Sequence, residues 1–243
     1  MKNKKIILTT LSPKTHRTSE ENLGIEYLKS ALVKEGYEVE IIDAWLNELE
    51  VEDVYSKIIS QKDKLLFVGI SSYMSNTAPT IKLISMLKKY DENIKVVCGG
   101  FGPTFYPEEY LKSGSDYIIR GEGEQPICKL ANFIENSDKV CNIKNIGYLK
   151  DNKLILNDME CLNDDLDNLA FPSRDTMETV LKKKSSVNMV TARGCSGNCE
   201  FCSVISFFRL SNGKVWRTRS IKNIVDEIEL LYNQGVEYIK IVD

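Results

Sequence analysis

The chain of 243 residues is long enough for one large domain, or for an ordinary domain joined to part of another, and the second arrangement suits the sequence better. Hydrophobic residues at 42% beside 28% charged residues give a globular composition and exclude a chain that is disordered throughout. A formal charge of −3 supplies no overall basic footprint for nucleic acid, and no segment approaches the ~18 consecutive apolar residues of a membrane span. The apolar run after Met1-Lys-Asn-Lys-Lys5 is too short for a signal peptide and reads as a strand, so a reducing, cytoplasmic setting is expected, with neither membrane nor nucleic acid as partner.

From Lys5 to about Glu135 strand and helix signals alternate five times. Ile6-Ile7-Leu8 opens the first strand, and a helix from about Glu20 aligns Ile25, Leu28 and Leu32 before stopping at Gly36. Val39 to Ile42 is the second strand, and Val51, Val54, Tyr55 and Ile58 mark its helix. Leu65 to Ile70 is an uninterrupted apolar strand, as expected where both faces of a parallel sheet are covered. Pro79 starts a helix bearing Ile81, Ile84 and Leu87, Ile94 to Cys98 is the fourth strand, and a short helix follows Pro107. Tyr117 to Ile119 is the fifth strand, and a last helix runs from about Pro126 through Ile134.

Five βα units predict a flavodoxin-like, doubly wound parallel sheet of the α/β class, with any ligand at the carboxyl ends of its strands. Three unusual loops fall there: Gly69-Ile-Ser71-Ser72-Tyr73-Met74, Gly99-Gly100-Phe101-Gly102-Pro103 and Arg120-Gly121-Glu122-Gly123-Glu124. Tight turns alone would account for any one glycine pair; three such loops on one rim favour a bulky ligand approaching the backbone, with serine hydroxyls for its polar edges. A phosphoacceptor receiver is excluded, because Thr9-Thr10-Leu11 and Ser71-Ser72 stand where it needs acidic residues. An FMN-binding flavodoxin is excluded because the hydroxyl-rich stretch from Leu11 to Ser19 lacks glycine.

Residues 141–185 read as a polar connector, with a hairpin where Ile146 to Leu149 and Lys153 to Leu156 flank Asp151-Asn152. Its acidic run from Asp164 to Pro172 reads by itself as solvated surface. Cys98, Cys128, Cys141 and Cys161 are scattered singly, as core or surface thiols are. The other three of the seven cysteines fall within eight residues, in Arg193-Gly-Cys195-Ser-Gly-Asn-Cys199-Glu-Phe-Cys202, directly after a short buried strand from Val187 to Val190. Thiolates spaced C-x3-C-x2-C can hold zinc or an iron–sulfur cluster. A closed zinc site wants a fourth ligand, and neither a further cysteine nor a histidine adjoins the loop; a four-iron cluster on three thiolates keeps one iron open. Three cysteines cannot pair off as disulfides. Beyond the loop, Ser220 caps a helix whose apolar stripe, Ile221, Ile224, Val225, Ile228 and Leu231, reads as ordinary core, and Tyr238 to Val242 is the next strand.

The cysteine spacing, Phe201 before the last cysteine and the preceding strand resemble the radical S-adenosylmethionine (SAM) superfamily. That resemblance implies a [4Fe-4S] cluster on Cys195, Cys199 and Cys202, SAM chelated to the open iron, and cleavage to a 5′-deoxyadenosyl radical by an electron from a donor such as flavodoxin or ferredoxin. Leu23-Gly-Ile-Glu-Tyr-Leu28, Gly36 to Asp43, Cys98 to Pro103 and Asp116 to Glu124 resemble the cobalamin-binding domain fused ahead of the barrel in one class of these enzymes. The resemblance implies corinoid contacts at Ser71, Ser72, Tyr73, Gly99, Gly100 and Gly102, with Gly121, Glu122 and Gly123 near the ring. His16 departs from the D-x-H-x-x-G cobalt-ligand pattern, with Lys14 and Ser19 in place of Asp and Gly, which favours a solvated loop histidine. The domains expected are residues 1–140 for cobalamin, 141–185 as connector, and 186–243 as the first βαβ part of an incomplete radical SAM β/α barrel.

Methylthiotransferases of the same superfamily carry three further cluster cysteines in the first domain, and the scatter of the remaining thiols weighs against them. The activity implied is radical methyl transfer by a longer enzyme of which this chain is a fragment: a hydrogen is taken from an unactivated carbon, methylcobalamin delivers the methyl group, and a second SAM recharges cobalt. Two alternatives stand: a non-methylating cyclisation or rearrangement with the same cofactors, and a cobalamin- and cluster-binding module without turnover. No general acid or base can be named, and the substrate, a small molecule or a peptide, is not legible.

Overall fold

A computed structural model describes residues 4–13, 21–136 and 142–243; His16 and Cys141 lie outside the described residues. The first unit runs β1 (Lys5–Thr10), α1 (Leu23–Lys34), β2 (Glu38–Asp43), α2 (Val51–Ile59), β3 (Leu65–Ser71), α3 (Thr77–Tyr90), β4 (Val96–Gly99), α4 (Phe101–Phe105), α5 (Pro107–Lys112), β5 (Tyr117–Ile119) and α6 (Glu124–Asn136). The parallel strands lie in the order β2-β1-β3-β4-β5, which is the flavodoxin-like order expected. Alternation along β1 explains the layering. Ile6 and Leu8 turn toward α1 and α6, where Ile25, Leu32, Ile127 and Leu130 meet them, while Ile7 turns toward α2 and α3, against Val54, Ile58, Leu83 and Ile84. Asn22 caps α1 by accepting from the Ile25 amide at 3.3 Å.

The connector hairpin is more than a surface flap. β6 (Ile146–Lys150) pairs antiparallel with β5, and β7 (Lys153–Leu156) pairs with β6, so the sheet has seven strands. Asp151 and Asn152 both take left-handed φ values, 51° and 58°, which gives the two-residue turn whose twist matches the strands it joins. Fully buried Ile146 and the buried Ile143 insert into the α1–α6 layer and hold the hairpin against the sheet.

The chain then passes α7 (Met177–Lys182) and enters a second unit: β8 (Val187–Met189), β9 (Ala192–Arg193), α8 (Ser203–Phe208), β10 (Arg217–Thr218), α9 (Ile221–Asn233) and β11 (Ile239–Ile241). β11 pairs parallel with β8, with α9 between them, which makes the βαβ unit the sequence predicts. Its core of Met177, Val180, Val187, Met189, Leu231 and Val236 includes Leu46, which follows β2 of the first unit. Among the described residues no helix is long and apolar enough to cross a membrane.

Buried charges tie connector and units together. Arg174 pairs with Glu21, which precedes α1, and with Glu227 on α9, both at 2.8 Å. Arg219 pairs with the same Glu227, and the Asn188 amide of β8 donates to Glu21 at 2.6 Å. Thr176 donates to Glu26 at 2.6 Å, but the other Glu26 carboxylate oxygen has no hydrogen-bond partner and lies 4.0 Å from Arg174. Burial, and then the neighbouring Glu21, push the Glu26 carboxyl up from 4.5 to about 7.

The folded chain therefore keeps this proton between pH 4.5 and 7, where the unfolded chain releases it, so the stabilisation is complete below that window and lost above it. The slope approaches ~1.4 kcal/mol per pH unit at most for one proton. Glu26→Gln should therefore unfold at a higher urea concentration than the parent chain at pH 8, with the two midpoints drawing together toward pH 5. Urea titrations followed by circular dichroism check this, and a variant weaker than the parent at pH 8 would contradict it.

Candidate functional site

The carboxyl ends of β3, β4 and β5 open into a cavity of about 360 Å³, closed on its far side by residues of the second unit. Ser71, Tyr73, Gly99, Gly100, Gly121, Glu122 and Gly123 line one wall, and Arg193, Gly194, Val204, Phe207 and Phe208 face them. The lining is mostly apolar, with few polar groups, as in sites for large organic ligands. Seven of the nine contact residues assigned on the first unit thus meet at one place. Ser72 and Gly102 are turned into the protein instead. The Ser72 hydroxyl lies 2.9 Å from Asn76 Oδ1 and 3.0 Å from the Tyr110 hydroxyl, fully buried. A Cβ on Gly102 would come within 2.3 Å of that same Tyr110 oxygen. Both residues shape the rim from beneath.

Gly100 sets the shape of the β4 end. Its φ is +93°, and a Cβ there would stand 2.7 Å from the Ser72 carbonyl oxygen, so the two loops touch backbone to backbone. The chain then turns into α4, which presents Phe101. Its ring stacks on Phe207 of α8 with centroids 4.5 Å apart and on Tyr73 at 6.0 Å. This row of rings joins two strand-end loops to the second unit. Phe101 stands in the glycine-rich loop after β4 and Phe207 beyond the cysteines, and nothing in the sequence shows that they meet.

The cysteine loop leaves the cavity wall at Gly194. With φ +82° and the Val215 carbonyl oxygen 1.8 Å from where a Cβ would stand, only glycine fits this position. Cys195 and Cys199 are exposed and Cys202 is half-buried, and all three are free thiols. Both Cys195 Sγ and Cys199 Sγ flank Gly197, at 3.3 Å and 4.0 Å from the place of a Cβ, and the Gly197 amide donates to Cys195 Sγ at 3.3 Å. Arg209 braces the loop, donating to Asn198 Oδ1 at 2.8 Å and to the Gly197 carbonyl at 3.3 Å. Phe201 is 92% exposed. Among the described residues no three Cys, His, Asp or Glu side chains converge on a single ion. Thiolates on a four-iron cluster bind different irons and need no common point, so a sulfur-only donor set around a glycine fits a cluster better than a lone zinc. The solitary Cys98 is fully buried in β4, where burial pushes its thiol up to about 12.

Between rim and loop lies a second cluster of charges. Arg193, two residues before Cys195, pairs with Glu122 at 2.8 Å and Glu124 at 2.6 Å. Arg217, fully buried, makes a forked pair with Glu122 at 2.8 and 3.1 Å and donates to the Asn163 carbonyl at 2.9 Å. Burial alone would lower the Arg193 pKa, but the Glu124 and Glu122 carboxylates raise it above its ordinary value. Burial would likewise raise the Glu124 carboxyl, and Arg193 carries it below its ordinary range. Glu122 is thus engaged by arginines at the edge of the cavity. Glu124 and Arg193 stand within recognisable stretches, but the pairing of these residues and Arg217 leaves no motif signal, since the partners stand 69 to 95 residues apart along the chain.

Comparison with known proteins accords with this geometry. Residues 14–131 match the B12 binding domain family. An uncharacterized methyltransferase of Pyrococcus horikoshii is 31% identical over 227 residues, 91% of this chain and 48% of that protein. The anaerobic magnesium-protoporphyrin IX monomethyl ester cyclase of Synechocystis sp. is 27% identical over 231 residues, 91% of this chain and 44% of that protein. The chain therefore spans about half the length of the curated relatives it matches. Among solved structures, the cobalamin-dependent S-adenosylmethionine radical enzyme OxsB, with aqua-cobalamin and S-adenosylmethionine bound, shares the fold at a TM-score of 0.84 and 20% identity. That superposition covers 99% of this chain and 34% of OxsB. The chain thus carries a B12 binding domain whose strand ends face a three-cysteine loop, and over nearly its whole length it shares the fold of a cobalamin-dependent radical SAM enzyme.

Proposed function

We propose that this chain is the cofactor-bearing part of a radical methyltransferase, with a corinoid in the cavity at the ends of β3, β4 and β5 and a [4Fe-4S] cluster on Cys195, Cys199 and Cys202. The observation that carries the reading is that one cavity is shared: one wall belongs to the B12 binding domain, and the other runs through Arg193 and Gly194 into the first of the three cysteines. When bound, cluster and SAM supply a carbon-centred radical, and the corinoid supplies a methyl group. The chain's own residues do the holding. Gly99 and Gly100 let a planar ligand approach the backbone, the rings of Tyr73, Phe101 and Phe207 keep water from one side, and Gly197 with Arg209 fixes the turn of the sulfur loop. Flavodoxin or ferredoxin is the electron donor proposed.

Similarity to a cyclase favours a second reading, ring closure with the same two cofactors, and the cavity suits either. A cofactor-binding module without turnover is distinguished by experiment: colour without SAM cleavage by this chain would favour the module, and cleavage would favour the enzyme.

Anaerobic reconstitution with iron, sulfide and hydroxocobalamin should leave about four iron per chain and retained corinoid absorbance at roughly 350 to 550 nm after gel filtration. Replacing Cys195, Cys199 or Cys202 by Ala should strip the iron while corinoid still binds at saturating concentration. Zinc in place of iron, with no corinoid retained, would overturn the assignment. Gly100→Ala should act on the other cofactor. Its Cβ strikes the Ser72 carbonyl in a left-handed conformation that costs ~1 to 3 kcal/mol, so corinoid affinity should fall about tenfold while iron content stays. An unchanged dissociation constant would remove the β4 loop from the site.

A further inference from the structure

We propose that corinoid binding and cluster assembly in this chain are reciprocally coupled through the ion cluster of Glu122, Glu124, Arg193 and Arg217. This rests on the reading that the cavity holds a corinoid and the cysteine loop a cluster. Arg193 and Arg217 are direct cross-strand partners in the two-stranded ribbon β9–β10. Like charges in that position repel, so the ribbon needs an anion between them. Among the described residues the carboxylates that pair with the two arginines are those of Glu122 and Glu124, and Glu122 bridges both.

These two glutamates bracket Gly123, which lines the cavity with Gly121. On the other side, Arg193 leads directly into Gly194, locked beneath the Val215 carbonyl, and then into Cys195. A rim loop that shifts takes its carboxylates with it and leaves two nearly buried guanidiniums facing each other. A corinoid resting on Gly121 to Gly123 holds the rim in the position that seats the ribbon. A cluster on the cysteine loop holds the ribbon in the position that seats the rim. Both ligands favour the same arrangement, so each must tighten the other by the same factor. Glu122 is in this account a positioning residue.

Hydroxocobalamin titrated anaerobically into cluster-loaded and cluster-free protein should give dissociation constants that differ by at least about fivefold, the loaded form being tighter. In Glu122→Gln, which keeps an acceptor oxygen but loses the bridging charge, the ratio should fall to about one, even if both constants weaken. A purely structural residue would change the two constants alike and leave the ratio intact. Should Glu122→Gln fail to give a cooperative thermal transition, Glu124→Gln carries the same comparison, because it removes only one of the two partners of Arg193. Equal constants in the parent chain, or a ratio that survives both substitutions, would overturn the coupling while leaving both cofactors in place. Absence of corinoid or iron binding from the parent chain would instead defeat the underlying reading, and the coupling with it.

Discussion

A parallel sheet covered on both faces leaves one place for a large ligand, the edge where its strands end. Every feature of interest in this chain follows from that constraint. β1 through β5 run the same way, their two faces are filled by α1 with α6 and by α2 with α3, and three glycine-bearing loops emerge side by side. The second unit does not pack on a face of the sheet. It closes over this edge, bringing α8 and the start of the cysteine loop across from the strand ends. The juxtaposition of the strand-end rim and the cysteine loop is thus a result of topology before it is a result of any one contact.

What holds the second unit there is polar as much as apolar. Leu46 enters its small core, one row of aromatic rings crosses the gap, and two buried charge groups cross it as well, one around Arg174 and one around Arg193 and Arg217. Such pairs contribute little net stability beyond an apolar interface of equal shape, because desolvation offsets much of their attraction. They do require exact partners, so they specify one relative placement of the units. A cavity made from two walls needs that kind of registration more than it needs additional stability.

Much of this was legible in the sequence, and for identifiable reasons. The strand and helix periods of the first unit are strong because both faces of its sheet are buried, and the order of the parallel strands follows from the repeated βα alternation. The cysteine trio announces itself by spacing. The docking of β6 and β7 on β5 was not legible, since Ile143 and Ile146 look like ordinary hairpin residues until the α1–α6 layer is present to receive them. Nor were the partners of Glu122 and Glu124, because ion pairs between distant segments leave no periodic trace. Ser72 and Gly102 sit in the expected loops, yet Tyr110 from the adjacent helix lies against both, a contact that spacing cannot reveal.

The exposed sulfurs on either side of Gly197 have a chemical consequence of their own. Two exposed free thiols near one small residue on an open loop are accessible to oxidants, which can join them as a disulfide. Such a bond would leave Cys202 as the one free thiol of the three in the loop. On the proposal that this loop holds a cluster, oxygen and iron compete for it, and a thiol reductant returns an oxidised loop to the state that takes iron.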